Sequence, residues 1–258
     1  SLVKNSEYSV PIYGLPRDRV VLKLRDFDAS LPNRTLVGRI VGQRIQPYYT
    51  QAEINQGAIA GKAEVLVWVK HLVDRLFLEI QGSGHIMLEN GKSVYLGYAG
   101  GNGAPYTPVG RVLVERKLIP RDAVSMQRIR AYFEAHPNES ESIINENHSA
   151  VFFQTQAHGD ALGSQGVALT PGYSMAVDNH WVPMGCPIWL KTTRPAAYRD
   201  KTREFTRLLI AQDTGGAIKG PVRGDVFWGN SDKASAIAGK MKNTGQYWLL
   251  LPKSLVKP

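Results

Sequence analysis

The stretch AQDTGGAIKGPVRGDVFWG, residues 211–229, decides how the surrounding chain is read. The apolar run Leu208–Leu209–Ile210 just ahead of it predicts a buried strand that delivers Asp213 to its end. Gly215, Gly216 and Gly220 follow and permit a tight or closely approached backbone. Asp225 then stands ahead of two rings, Phe227 and Trp228. Two carboxyls across a glycine-rich bend, beside flat apolar rings, suit carbohydrate chemistry, because an acid can hand over a proton while rings lie against sugar faces. A purely structural reading has equal standing on residue type alone. Asp and Gly are also the ordinary residues of turns, where an Asp carboxylate accepts from the backbone two residues on.

Around that stretch the sequence reads as short strands separated by turns. VFFQ (151–154), VALTPGYSMAVD (167–178), CPIWLKT (186–192), FTRLLIAQD (205–213), VFWG (226–229) and YWLLLP (247–252) are the candidate strands. One helix intervenes at Ser231–Met241, capped by Ser231, with Gly245 beyond its end. So many short strands in about 100 residues predict a small closed barrel. Asp178 ends one of these strands, ahead of the turn Pro183-Met184-Gly185, and is a third acid placed like the other two.

Working back toward the N-terminus, helices and strands mix. Val20–Leu24 and Thr35–Ile45 carry the β-branched residues of strands. Thr50 and Glu53 form the capping box of a helix that Gly57 stops. Lys62–Lys70 reads either as a helix or as a buried segment. Leu76–Gln81 reads as a strand running into Gly82-Ser83-Gly84, and Asn90-Gly91 marks a hairpin turn ahead of Ser93–Tyr98. The run GYAGGNGAPY (97–106) holds four glycines but lacks the Lys-Ser/Thr of a phosphate-binding loop. Its Asn102 and Tyr106 can supply an amide and a ring to a sugar, or the run can be a plain connector. Helices are expected from Thr107 to Lys117, Ala123 to Ala135 and Ser140 to Glu146.

Composition bounds the function. With 258 residues and 43% hydrophobic content, the chain can bury a substantial core in one or two domains. No run of about 18 apolar residues occurs, and no signal peptide is present; the chain starts at Ser1, so an export signal is expected outside it. Cys186 is the only cysteine, which excludes an internal disulfide, and it reads as a buried, inert thiol. His71, His85, His136, His148, His158 and His180 lack ligand spacing, so no metal is assigned. The net charge of +9 is uneven, +3 over residues 1–150 and +6 over 151–258. A basic surface favours an anionic partner, but no lysine–arginine run is dense enough to name nucleic acid.

The three acids, in AVDNHWVPMG, AQDTGGAIKG and GDVFWG, resemble the three aspartates of the 3D domain. PYYTQAEINQG (47–57), EIQGSGHI (79–86), GYAGGNGAPYTPVG (97–110), SMQRIR (125–130) and NHSAVFF (147–153) extend the match. Together these blocks resemble the membrane-bound lytic murein transglycosylase A (MltA) family, from about Pro11 to Pro252 and in the family's order. The resemblance implies a mainly β fold with short helices: a double-psi β-barrel domain plus a second, smaller β-rich domain, with a groove between them. Residues 1–150 would form the inserted domain and 151–258 the barrel domain. The family has a further N-terminal segment, so the first portion of the barrel domain is expected outside this chain.

The activity implied is that of a peptidoglycan lytic transglycosylase. It cleaves the β-1,4 bond between N-acetylmuramic acid and N-acetylglucosamine and leaves a 1,6-anhydromuramyl end. Asp225 would act as general acid and then base, its pKa raised by partial burial near Phe227 and Trp228 and by the charge of Asp213. Asp213 and Asp178 would orient loops or stabilise positive charge developing on the sugar, and Lys219 would contact the peptide or lactyl carboxylate. Gln81, Ser83, Gly84, Asn102 and Tyr106 would contact the glycan from the second domain. No cofactor is implied. The partner is the peptidoglycan glycan strand, with other cell-wall enzymes as further candidates. Nucleic acid is not a partner, and a membrane is one only through an anchor absent from this chain. The implied location is the periplasm, anchored at the outer membrane in the full-length protein. The rival reading is a non-catalytic peptidoglycan-binding module.

Overall fold

The computed structural model describes residues 1–156, 161–197 and 201–255. The chain is mainly β with short helices and divides into two compact units, Ser1–Gly159 and Asp160–Pro258.

The first unit holds three small sheets and a group of helices. Strand β1 (Val10–Tyr13) and strand β5 (Val65–Val69) form an antiparallel pair. Strands β2 (Val20–Lys23), β3 (Thr35–Val41) and β4 (Arg44–Pro47) form an antiparallel sheet in that order. Strands β6 (Ser83–Met87), β7 (Ser93–Gly101) and β8 (Val151–Gln156) form another. The hairpin between β6 and β7 turns at Gly91, whose φ of 76° suits glycine. Helix α1 (Gln51–Asn55) starts at the expected capping box: Glu53 N–H donates to Thr50 Oγ1, and Thr50 N–H donates to Glu53. Two differences from the sequence reading stand out here. Segment 65–69 is a strand, in keeping with its valines, and Val151–Gln156 pairs with β7 in the first unit instead of opening the second.

Leu76–Gln81 is not a strand. It is the C-terminal part of helix α2 (Leu72–Gln81). The sequence LFLEIQ alternates, but Val73, Leu76 and Phe77 follow the i, i+3, i+4 spacing of one helix face. That face packs with Val112 and Leu113 of α3 (Val109–Glu115), Ile129 and Phe133 of α4 (Met126–Ala135) and Ile143 of α5 (Pro137–Ile144). Gly82, at φ 76°, closes the helix by donating its N–H to the Leu78 carbonyl at 2.8 Å.

The second unit is one open five-stranded sheet: β12 (Gly224–Val226), β9 (Ser174–Val177), β11 (Arg203–Asp213), β10 (Pro187–Arg194) and β13 (Gly245–Leu249). It is half of a barrel in its pairing. β9 and β11 run parallel, and the other neighbours run antiparallel. One face buries Met175, Val177, Ile188, Leu190, Leu209 and Ala211. Helix α6 (Asp232–Ala238) is capped by Ser231, whose hydroxyl accepts from Ala234 N–H, and it closes at Gly239, ahead of the expected end at Met241. Cys186 is buried in this core, and burial pushes its thiol up, in keeping with an inert role.

Candidate active site

Strand β9 organises the three acids. Ala176 pairs with Asp213 of β11 on one side and with Asp225 of β12 on the other. Residues in register share a face, and Met175, Val177, Ala211 and Val226 point the opposite way, into the core; the register shift between Ala211 and Asp213 is what brings Asp213, two residues on, level with Ala176. Asp213, Ala176 and Asp225 therefore form one row on the face away from the core. Two strand spacings separate the acids by about 10 Å, with a single methyl group between them.

Asp225 keeps 52% of its side chain exposed, and Arg223 holds both of its oxygens, Nε to Oδ1 at 3.3 Å and an outer nitrogen to Oδ2 at 3.3 Å. Both residues lie on one side of the strand because they are two apart. About half of the Asp225 side chain is covered. Trp228 is partly buried and packs on the core against Phe205, ring centroids 4.9 Å apart, with its indole nitrogen enclosed. Phe227 is half-buried and continues the backbone pairing, its N–H on Ser174 and its carbonyl accepting from Gly172. The influence expected of Asp213 is also weak, because two charges about 10 Å apart interact by only about 0.4 kcal/mol in water's dielectric.

Asp213 and Asp178 are held by backbone. Asp213 Oδ1 accepts from Ser164 N–H at 2.9 Å. Burial pushes its carboxyl up, while the bonds from Ser164 and Thr214 pull the other way. Asp178, 6% exposed, accepts from Gly220 N–H at 2.8 Å and from His180 N–H at 3.2 Å, with the His180 ring beside it. The Gly220 bond is the largest cause holding Asp178 below the usual carboxylate range. Asp178 thereby pins the loop 214–223. Gly220 bends there at φ 93°, Ile218 is buried, and Lys219 between them projects outward. The geometry fits a loop-orienting role for Asp178 and leaves little of its carboxylate for a substrate.

In the first unit the candidates divide. Gln81 is exposed at the end of α2, its amide nitrogen 3.6 Å from Met126 sulfur. Ser83 and Gly84 open β6 half-buried, and Gly84 leaves room for Leu78, whose Cδ1 would sit 2.9 Å from an added Cβ. Tyr106 is partly exposed, and burial followed by the charge of Glu79 pushes its hydroxyl up. Gln81, Ser83, Gly84 and Tyr106 thus gather at the C-terminal end of α2.

Asn102 does not join them. It is 2% exposed, donates to the carbonyls of Tyr49 (2.9 Å) and His148 (2.8 Å), and accepts from Ala104 and Ala150 N–H. Its amide has nothing left for a sugar. Two residues went unread in the sequence. Arg223 is legible in hindsight as a cation two positions before Asp225 on a strand. Glu79 becomes legible once 72–81 is read as a helix, since it falls one turn after Arg75. Among the described residues no group of three or more His, Cys, Asp or Glu could hold a metal; His158 lies outside them.

A family model described as the MltA specific insert domain matches residues 1–154, and one described as the 3D domain matches residues 173–251. The membrane-bound lytic murein transglycosylase A of Vibrio cholerae serotype O1 is 36% identical over 206 residues, 78% of this chain and 55% of its own length. MltA from Neisseria gonorrhoeae, in its monoclinic crystal form, aligns with a TM-score of 0.83 at 34% identity, over 99% of this chain and 70% of that one. Escherichia coli MltA with bound chitohexaose aligns with a TM-score of 0.74 at 28% identity, over 96% and 67%. The chain spans little more than half the length of the curated relative. These likenesses carry the fold class, a double-psi β-barrel domain with a second β-rich domain.

Proposed function

The chain belongs to the membrane-bound lytic murein transglycosylase A family, and from that membership we propose that the whole protein is a peptidoglycan lytic transglycosylase. It cleaves the β-1,4 bond between N-acetylmuramic acid and N-acetylglucosamine and leaves a 1,6-anhydromuramyl end. The observation that carries this reading is Asp225, a solvent-facing carboxyl on the sheet face away from the core, in one row with Ala176 and Asp213.

The chemistry needs one acid. Protonated Asp225 gives its proton to the glycosidic oxygen as the C1–O4 bond breaks. As carboxylate it then takes the proton of the C6 hydroxyl while the C1–O6 bond forms, so no water is consumed. An exposed carboxylate paired with Arg223 is ready for the second half of that cycle. The first half needs a bound glycan to displace Arg223 from the carboxyl. Asp178 holds the 214–223 loop and Lys219 with it, while Asp213, a neighbour across Ala176, is fixed by Ser164. The flat small surface of Ala176 between the acids leaves room for a sugar ring.

The proposed partner is the peptidoglycan glycan strand, in line with the chitohexaose bound to the Escherichia coli relative, and other cell-wall enzymes are further proposed partners. The membrane-bound names of the relatives support membrane association, and the periplasm with an outer-membrane anchor is the proposed location. Among the described residues no helix is long and apolar enough to cross a membrane.

Mass spectrometry of products from murein sacculi tests the reading. The whole protein is expected to release anhydromuropeptides, and Asp225→Asn is expected to fold normally and release none. Equal turnover by that variant removes Asp225 from the role. Reducing ends would mark a hydrolase, and sedimentation with sacculi without product release would mark a binding module.

A further inference from the structure

The sheet of the second unit carries two tryptophans on its outer face that the chemistry at Asp225 does not use. Along β10, Ile188 and Leu190 enter the core, so Trp189 and Lys191 point the other way, to solvent. Trp189 pairs with Leu208 of β11 on one side and with Trp248 of β13 on the other. The three side chains form one row across three strands, and each stays exposed, Trp189 at 42%, Trp248 at 48% and Leu208 at 41%. Directly opposite residues have Cβ atoms about 5 Å apart, which places the two indoles side by side.

The next rows of the same face are polar. Thr206, Lys191 and Gln246 are in register, and Glu204 pairs with Thr193 two residues further on. These five side chains border a depression of about 240 Å³. Asn243 donates to the Thr193 hydroxyl at 2.8 Å and fixes it at the rim. Leu208 lies five residues before Asp213 on β11, about 17 Å along the strand, so this surface is separate from the row of acids.

We propose that this face is a second glycan-binding site, which holds the protein on murein at a distance from Asp225. Its ligand is a β-1,4-linked N-acetylhexosamine strand, so the inference rests on the glycan reading above for its ligand and not on Asp225 as the acid. Single exposed apolar residues are ordinary, whereas three adjacent in one row over a core already closed from the other side mark a contact surface. Exposed indoles give the apolar faces of sugar rings a flat partner. The hydroxyl, amide and charged groups beside them match the sugar's hydroxyl and acetamido groups. Charge decides against a lipid surface. The side chains of these rows include one cation, Lys191, and one anion, Glu204, which leaves no excess to draw this face to an anionic bilayer.

The test uses the whole protein carrying Asp225→Asn, so that no cleavage intervenes. Indole oxidation by N-bromosuccinimide, mapped by mass spectrometry, is read with and without chitohexaose. Trp189 and Trp248 are expected to oxidise in the free protein and to be protected by the sugar. Adding Trp189→Ala and Trp248→Ala is expected to weaken binding to murein sacculi at least about tenfold, as for tryptophans at the centre of a contact. With Asp225 intact, the same two substitutions should lower turnover of sacculi and leave turnover of short soluble muramyl glycans unchanged. Indoles that oxidise equally with and without chitohexaose, or that are shielded in the free protein, overturn the inference. Unchanged binding of sacculi, or an equal loss of turnover on both substrates by the folded variant, does the same. Protection by anionic phospholipid vesicles and not by chitohexaose assigns the face to lipid and also overturns it. The oxidation is read without altering either indole, so a double variant that fails to fold does not block the test. Each of these results leaves the cleavage reading standing while the unmodified protein releases anhydromuropeptides. Absence of chitohexaose binding, with no product from the unmodified protein on sacculi, overturns the glycan reading and this inference with it.

Discussion

Asn102 illustrates how a residue type can point to function and turn out to be structural. Both amide hydrogens and both carbonyl lone pairs are committed to backbone groups, drawing Tyr49, His148 and Ala150 together where β8 begins. Removing it takes a hydrogen-bond partner from four backbone groups, of which the Ala150 N–H is buried and the His148 carbonyl keeps the Gln51 N–H, each loss being worth about 1 kcal/mol. Asn102→Ala is expected to destabilise the protein by about 3 kcal/mol in urea unfolding. A sugar ligand would instead lose affinity at constant stability. Trp228 and Asp225 mark the same limit. Sequence gives hydrogen-bonding capacity and ring area, but which side of a strand a residue takes depends on register with a partner far along the chain. One residue of alternation sends Trp228 into the core and leaves Asp225 outside.

At the level of elements, the local signals were readable where they are self-contained. The Thr50–Glu53 box, the Ser231 cap and the Asn90-Gly91 turn depend on residues within four positions of each other. Helix α2 was not readable from LFLEIQ, whose apolar residues fit a period of two as well as 3.6. Its helical face shows only when Val73 is included and when α3, α4 and α5 supply the opposing surface. The row Asp213–Ala176–Asp225 could not be read either, since parallel pairing of β9 with β11 leaves no local trace. The glycine-rich loop supplies a prediction at this scale. Asp178→Ala removes the acceptor of Gly220 N–H, so that amide should exchange faster with solvent while the β9–β11 amides keep their protection. Hydrogen exchange by mass spectrometry reads both, and an unchanged loop would show that Ile218 alone anchors it.

For the molecule as a whole, the buried pair of Arg75 and Glu79 on α2 sets a pH dependence of stability. The Glu79 carboxyl rises from 4.5 to about 7 on folding, so between those values the folded chain binds more protons than the unfolded one. Stability is then greatest below about pH 4.5 as far as this group is concerned, and falls as pH rises from there to about 7, by on the order of 3 kcal/mol. Asp178 acts in the opposite sense, because its lowered carboxyl withdraws stability as pH falls below the ordinary range. Chemical unfolding between pH 5 and 8 is expected to show the decline, and Glu79→Gln to flatten it. The change of grammar near residue 150 was visible in composition, yet β8 crosses it to finish the first unit. That crossing has a consequence for synthesis. Strand β7 waits some fifty residues for its second neighbour, so a nascent chain emerging from the ribosome or a translocon presents an unsatisfied strand edge until residue 156 is free. The three helices made in the interval pack their apolar faces with α2, so they can bury surface before that edge is paired.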